Sequence, residues 1–199
     1  MTPSVFHAEI QSTTRRRPII GVMGAGEPQP STLEAARQFG RLVAEAGWAL
    51  LTGGRPAGVM EAASAGAKSV AGSLTIGVLP SGPDGPVSAH VDVAIFTGMG
   101  DARNVVNVLS SDVVVACGVE GPGTASEVAL ALTNGRPTLL LGASPDASTF
   151  FRRVAGIRPL YEAATPEAAV ALIVRELGIS RRPPREPGTP GPEPAGHRP

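Results

Sequence analysis

Between residues 18 and 177, short apolar runs alternate with stretches whose apolar positions recur every three or four residues. The run Ile19-Ile20-Gly21-Val22-Met23 ends in glycines, as a strand buried on both faces does. Leu33, Ala36, Phe39, Val43 and Ala46 then recur at helical spacing, and Gly47 stops that helix. Its start is read at Ser31, an N-cap after Pro30 with Glu34 as capping-box partner. The cycle repeats, predicting strands at 48–52, 74–79, 91–96, 112–116 and 137–141. Helices are predicted at 58–69, at 102–109 and from the Gly121–Gly123 turn to 134. Two more, 148–155 and 166–177, close the domain, with Val170, Ile173, Val174 and Leu177 as the buried stripe of the last. Strand alternating with helix over this length predicts an α/β fold: a Rossmann-like parallel sheet with helices on both faces, in one domain spanning 18–179. Ligands of such folds collect outside the carboxyl ends of the strands, so the turns there carry the chemistry.

Composition changes this picture mainly at the ends. Residues 1–17 are polar and aperiodic, and 180–199 are rich in Pro, Gly and charge; both are predicted to be disordered. A Pro-rich tail of this kind could serve a partner domain, as in a regulatory nucleotide sensor. Hydrophobic residues are 42% of the chain and aromatics only 4%, so the core must be built from Val, Leu, Ile and Ala. Lys plus Arg equals Asp plus Glu at 17 each, which argues against nucleic-acid polymers as partners. No apolar run approaches the ~20 residues of a membrane span. Arg15-Arg16-Arg17 before the run 18–25 superficially resembles an export signal, but Gly21, Gly24 and Glu27-Pro28 interrupt it. It reads as a buried first strand of a cytoplasmic protein. Cys117 is the single cysteine, and no Cys/His cluster has metal-ligand spacing.

Four turns stand out. In Gly121-Pro122-Gly123-Thr124-Ala125-Ser126-Glu127, glycines let the backbone approach a guest, and a helix start presents free amides and partial positive charge. With the hydroxyls of Thr124 and Ser126 this is an anion site suited to phosphate, although a tight turn with an ordinary cap would look similar. Glu127 beside such a cradle suggests a role toward sugar hydroxyls or a cationic transition state. In Met99-Gly100-Asp101-Ala102-Arg103-Asn104, an arginine in a first helical turn opposes the dipole. Its fork suits phosphate, with Asn104 beside it. Thr52-Gly53-Gly54 with Gly58-Val59-Met60 is the third turn and Gly24-Ala25-Gly26-Glu27 the fourth. The fourth lacks the last glycine of a dinucleotide fingerprint and so is not read as an NAD site.

Ala102-Arg103-Asn104, Ser111-Asp112 and 121–127 together resemble the LOG-like (lonely guy, "possible lysine decarboxylase") superfamily, over roughly residues 18–177. Thr52-Gly53-Gly54 and Gly58-Val59-Met60 match its second glycine turn. The superfamily contains phosphoribohydrolases, which cleave the N-glycosidic bond of nucleoside 5'-monophosphates of the cytokinin riboside type, and molybdenum cofactor carrier proteins. The resemblance implies a homodimer, with Arg103 and Glu127 acting on the ribose phosphate and the bond being cut. Departures from the enzymes are Val119 in place of their Pro, Glu120 at the first glycine of their pair, Ser126 for the first Glu of their Glu-Glu, and the 24–27 turn. Arg103-Asn104 and Ser126-Glu127 are closer to the molybdenum cofactor carrier branch. Two functions therefore stay open: a carrier of a small phosphorylated ligand such as the molybdenum cofactor, and a purine nucleotide phosphoribohydrolase.

Overall fold

The computed structural model describes residues 16–181. The expected disorder of 1–15 and 182–199, and any role of the Pro-rich tail, lie outside the described residues. Arg16 and Arg17, assigned above to the arm, belong to the fold instead. The Arg16 guanidinium donates to both carboxylate oxygens of Asp112, at 2.8 and 2.6 Å, and Arg17 donates to the Gly72 carbonyl at 3.0 Å.

The elements run β1 Ile19–Met23, α1 Pro30–Glu45, β2 Ala49–Thr52, α2 Gly58–Lys68, β3 Leu74–Leu79 and β4 Val93–Phe96. A 3₁₀ turn Gly100–Arg103 leads into α3 Asn104–Ser110, and β5 Val113–Cys117, α4 Pro122–Thr133, β6 Thr138–Leu141, α5 Pro145–Ala155, β7 Leu160–Ala163 and α6 Pro166–Leu177 follow. All pairings are parallel, in the order β4-β3-β2-β1-β5-β6-β7. The chain winds outward from β1 to β4, returns through α3 to β5 beside β1, and winds outward the other way. Between the carboxyl ends of β1 and β5 the neighbouring connections diverge, and a crevice opens there.

Strand alternation builds the two layers. Val113, Val115 and Cys117 face α1, α2 and α6, where Phe39, Val43, Trp48, Val59 and Ile173 fill one core. Val114 and Ala116 face α3, α4 and α5, against Val108, Ala131, Val128, Leu132 and Phe151. The aliphatic core expected from composition is what forms. Of the expected stripe on α6, Val170 and Ile173 are buried, while Val174 and Leu177 pack at its margin. Trp48 fixes the end of the domain by donating its indole N–H to the Ser180 carbonyl at 3.0 Å.

Two local expectations are corrected. The strand β7 replaces a stretch read as a connection between helices. It is an edge strand of four residues, of which only Ala163 is buried, so it carries no alternating signal. The cap of α1 is Gln29 rather than Ser31, with Pro30 in the first turn and no side-chain cap from its own helix. Pro30 has its φ preset for a helix start, which moves the boundary ahead of Ser31. The acceptor comes from far along the chain: Glu120 takes the Gln29 N–H at 2.7 Å and the Thr32 hydroxyl at 2.6 Å.

Candidate functional site

The crevice between β1 and β5 is a cleft of about 220 Å³. Its walls are the turn after β1 (Gly24, Ala25, Gly26), Gly53 and Arg55 after β2, Asp101, Arg103 and Asn104 before α3, and Gly121–Thr124 with Glu127 at the start of α4. All four sequence motifs thus contribute residues to one place. This volume is below the ~300–1,000 Å³ of pockets that enclose a drug-sized ligand. The cleft can grip one end of such a molecule and leaves the rest at its mouth.

The start of α4 offers backbone donors. Gly121 is its N-cap and Pro122 its first residue, and among the described residues no side chain caps the turn. The amides of Gly123 and Thr124 fall in the first turn, where a helix supplies no acceptor. A β-carbon added at Gly121 or Gly123 would meet no atom of the described residues within 4 Å. The protein's own packing therefore does not require glycine there; the bare backbone faces open space.

Other glycines of the expected site serve packing. A β-carbon on Gly24 would lie 2.5 Å from Val59, and one on Gly58 would lie 2.2 Å from the Ala25 carbonyl oxygen. Gly54 has φ +70°, and its β-carbon would lie 2.9 Å from the Gly77 α-carbon. These contacts bring the turn after β1, α2 and β3 together; Gly54 and Gly58 do not line the cleft. Gly26 does, and so does Gly53. A β-carbon on Gly53 would come within 2.6 Å of both terminal nitrogens of Arg103, so the bare backbone is the bed on which that guanidinium lies.

Arg103 ends the 3₁₀ turn and is buried, at 7% exposure, which excludes a solvated surface arginine. Its Nη1 is 3.9 Å from Glu127 Oε1, the far limit of an ion pair, and its Nε is buried without a partner among the described residues. Asn107 of α3 donates to Glu127 Oε1 at 3.0 Å, while its own Oδ1 is buried without a partner among the described residues. Burial is the largest influence on both charged groups. It pushes the Glu127 carboxyl above the usual carboxylate range, against the Asn107 hydrogen bond and the charges of Arg103 and Arg55. It also lowers Arg103, although a guanidinium stays charged at any physiological pH. Ser126 does not line the cleft. Its hydroxyl donates to the Gly123 carbonyl at 2.7 Å and accepts from Asn104 Nδ2 at 3.3 Å, bracing the α4 turn against α3.

Glu120, which the sequence places as a charge inside the turn, points away from the cradle and occupies the start of α1. The helix start that holds pyrophosphate in dinucleotide-binding folds is thus filled by a carboxylate of the protein itself. Arg55 and Asn107 escaped the sequence reading. A lone arginine in a turn looks solvated, and an asparagine within a short helix shows its burial only in the folded packing.

A profile of the SLOG cluster4 family matches residues 17–170. The chain belongs to the SLOG cluster4 family. The LOG-like resemblance of the arginine and glycine-turn motifs is borne out. The SLOG cluster4 chain is also similar to solved structures. One is the molybdenum cofactor binding protein of Rippkaea orientalis, at 51% identity and TM-score 0.78, over 82% of this chain and 99% of that one. Another is the molybdenum cofactor carrier protein of Chlamydomonas reinhardtii, at 46% identity and TM-score 0.75, over 81% and 99%. An uncharacterized protein of Archaeoglobus fulgidus is 46% identical over 117 residues, 59% of this chain and 75% of its own length.

Proposed function

We propose that this SLOG cluster4 protein binds a small phosphorylated pterin, the molybdenum cofactor, and carries it without turning it over. The observation that supports this most is the convergence of bare α4 backbone and the buried, incompletely paired Arg103 on one cleft. The similarity to proteins described as molybdenum cofactor binding and carrier proteins supports that choice of ligand. The residues fit such a cargo. The amides of Gly123 and Thr124 with the Arg103 guanidinium would take the phosphate, and the cleft's size leaves the remainder of the molecule at the mouth. Asn104 and Ser126 would hold the cradle in shape, and Glu127 would keep Arg103 in place.

The test is retention of the cofactor. Cofactor released from a molybdoenzyme is mixed with purified protein, free material is removed, and the bound pterin is oxidised and read by fluorescence. Stoichiometric retention by the wild type, lost in Arg103→Ala, is the expected outcome; no retention by the wild type refutes the reading. The phosphoribohydrolase alternative has its own check, since free adenine released from AMP by the wild type and not by Glu127→Ala would establish it.

We also infer a homodimer that acts in the cytoplasm. Val93, Ile95 and Phe96 on the β4 edge, Met99, and Val105 and Leu109 on the outer side of α3 are all exposed, at 37–50%. Large exposed apolar surface of this kind supports burial against a second copy. Light scattering should give a dimer for the wild type and a monomer for Val105→Glu/Leu109→Glu. No helix among the described residues is long and apolar enough to cross a membrane. The apolar run after Arg17 forms the central strand β1, so cleaving it as a signal would remove the middle of the sheet.

A further inference from the structure

Arg55 follows directly on the Gly53-Gly54 turn and is exposed, yet it borders the same cleft as the buried Arg103. No carboxylate lies within ion-pair distance of it among the described residues. Its Nη2 would be 3.6 Å from a β-carbon on Gly26, which places the guanidinium over the turn after β1. It is close enough to Arg103 and Glu127 to influence the titration of both. Two cations thus face one concavity, and a shared anion would relieve their mutual repulsion. The α1 start, which would ordinarily serve an anion over the 24–26 turn, is taken by Glu120. A negative group there has a side chain, and not a helix, to neutralise it.

We propose that Arg55 is a second anion anchor, so that the cleft selects ligands carrying two anionic groups, one at the start of α4 beside Arg103 and one over the Gly24–Gly26 turn beneath Arg55. This rests on the phosphate-site reading above and deepens it. It assigns Arg55 to specificity between singly and doubly anionic guests, with Arg103 needed for both.

Inorganic phosphate and pyrophosphate test this without any ring or base, by calorimetry at matched ionic strength. The wild type is expected to prefer pyrophosphate, and Arg55→Ala to shrink that preference about tenfold while phosphate affinity moves less than about threefold. Arg55→Lys, which keeps the charge and loses the planar fork, should restore part of the preference. Arg103→Ala should weaken both ions. Arg55 is exposed, so thermal melts of its variants should superimpose on the wild type. An unchanged pyrophosphate preference in Arg55→Ala, or equal loss of both ions, overturns the second anchor and leaves the first intact. Failure of the wild type to bind either ion refutes the phosphate-site reading itself and this inference with it.

Discussion

The bed beneath Arg103 makes Gly53→Ala a test of the whole arrangement. The new β-carbon would lie 2.6 Å from both terminal guanidinium nitrogens and 2.7 Å from the Met60 sulfur. Contacts that short are not sustained, so the side-chain ends must move. Overpacking of this kind costs about 1–3 kcal/mol. Gly53 does not have a positive φ, so the backbone itself accepts alanine. The cost should therefore depend on Arg103 being present. In an Arg103→Ala background the space is vacated, and Gly53→Ala should cost close to nothing beyond the adjustment of Met60. Urea melts of the four proteins give the coupling, expected at about 1–3 kcal/mol. The same change should displace the guanidinium from the cradle. Pyrophosphate binding should then fall by about 1.5–3 kcal/mol, the value of one charged hydrogen bond, or roughly ten- to 150-fold. Equal stability costs in both backgrounds, or undiminished anion binding by Gly53→Ala, would show that Arg103 does not lie on this glycine.

Three further outcomes follow from the same geometry. Burial raises Glu127, so its ionised form is the costly one. Stability tied to its neutral form is fully present below the ordinary glutamate range and is lost as pH rises through the raised value. Anion binding should weaken over the same window: Glu127→Gln should bind pyrophosphate more tightly than the wild type at high pH, the two should converge as pH falls, and a pH-independent ratio would refute the assignment. Cys117 is buried and its thiol pushed up to about 12 by desolvation; thiol reagents should label it only after denaturant is added, and rapid labelling of the native protein contradicts the fold around β5. Glu120→Ala removes the acceptor for the Gln29 amide and Thr32 hydroxyl and should cost about 0.5–2 kcal/mol, as loss of a helix cap does; an unchanged melting temperature would show that α1 needs no such partner.

Much of this architecture is legible along the chain because its signals are local. Ile19–Met23 and Leu74–Leu79 are apolar runs with clear stops, and they form strands with the expected bounds. The glycine turn at 121–127 likewise announces its helix by glycine and proline. What escaped depends on distant partners. Leu160–Ala163 becomes a strand only because β6 pairs with it, residue for residue from Thr138↔Leu160. Ser31 looks like a cap until Glu120, some ninety positions away, supplies the acceptor. Arg55 reaches the cleft, and Asn107 reaches Glu127, through packing that no spacing rule encodes.

Glu120 gives the cleft a direction. One of its two ends is a rigid row of amides backed by a sunken cation; at the other, the protein's own acid has already taken the comparable seat. A guest meets free helix amides only on the α4 side; over the Gly24–Gly26 turn it meets the side chain of Arg55 instead. For a guest with a single negative group, that asymmetry sets which end would enter the cleft and which would stay at its mouth.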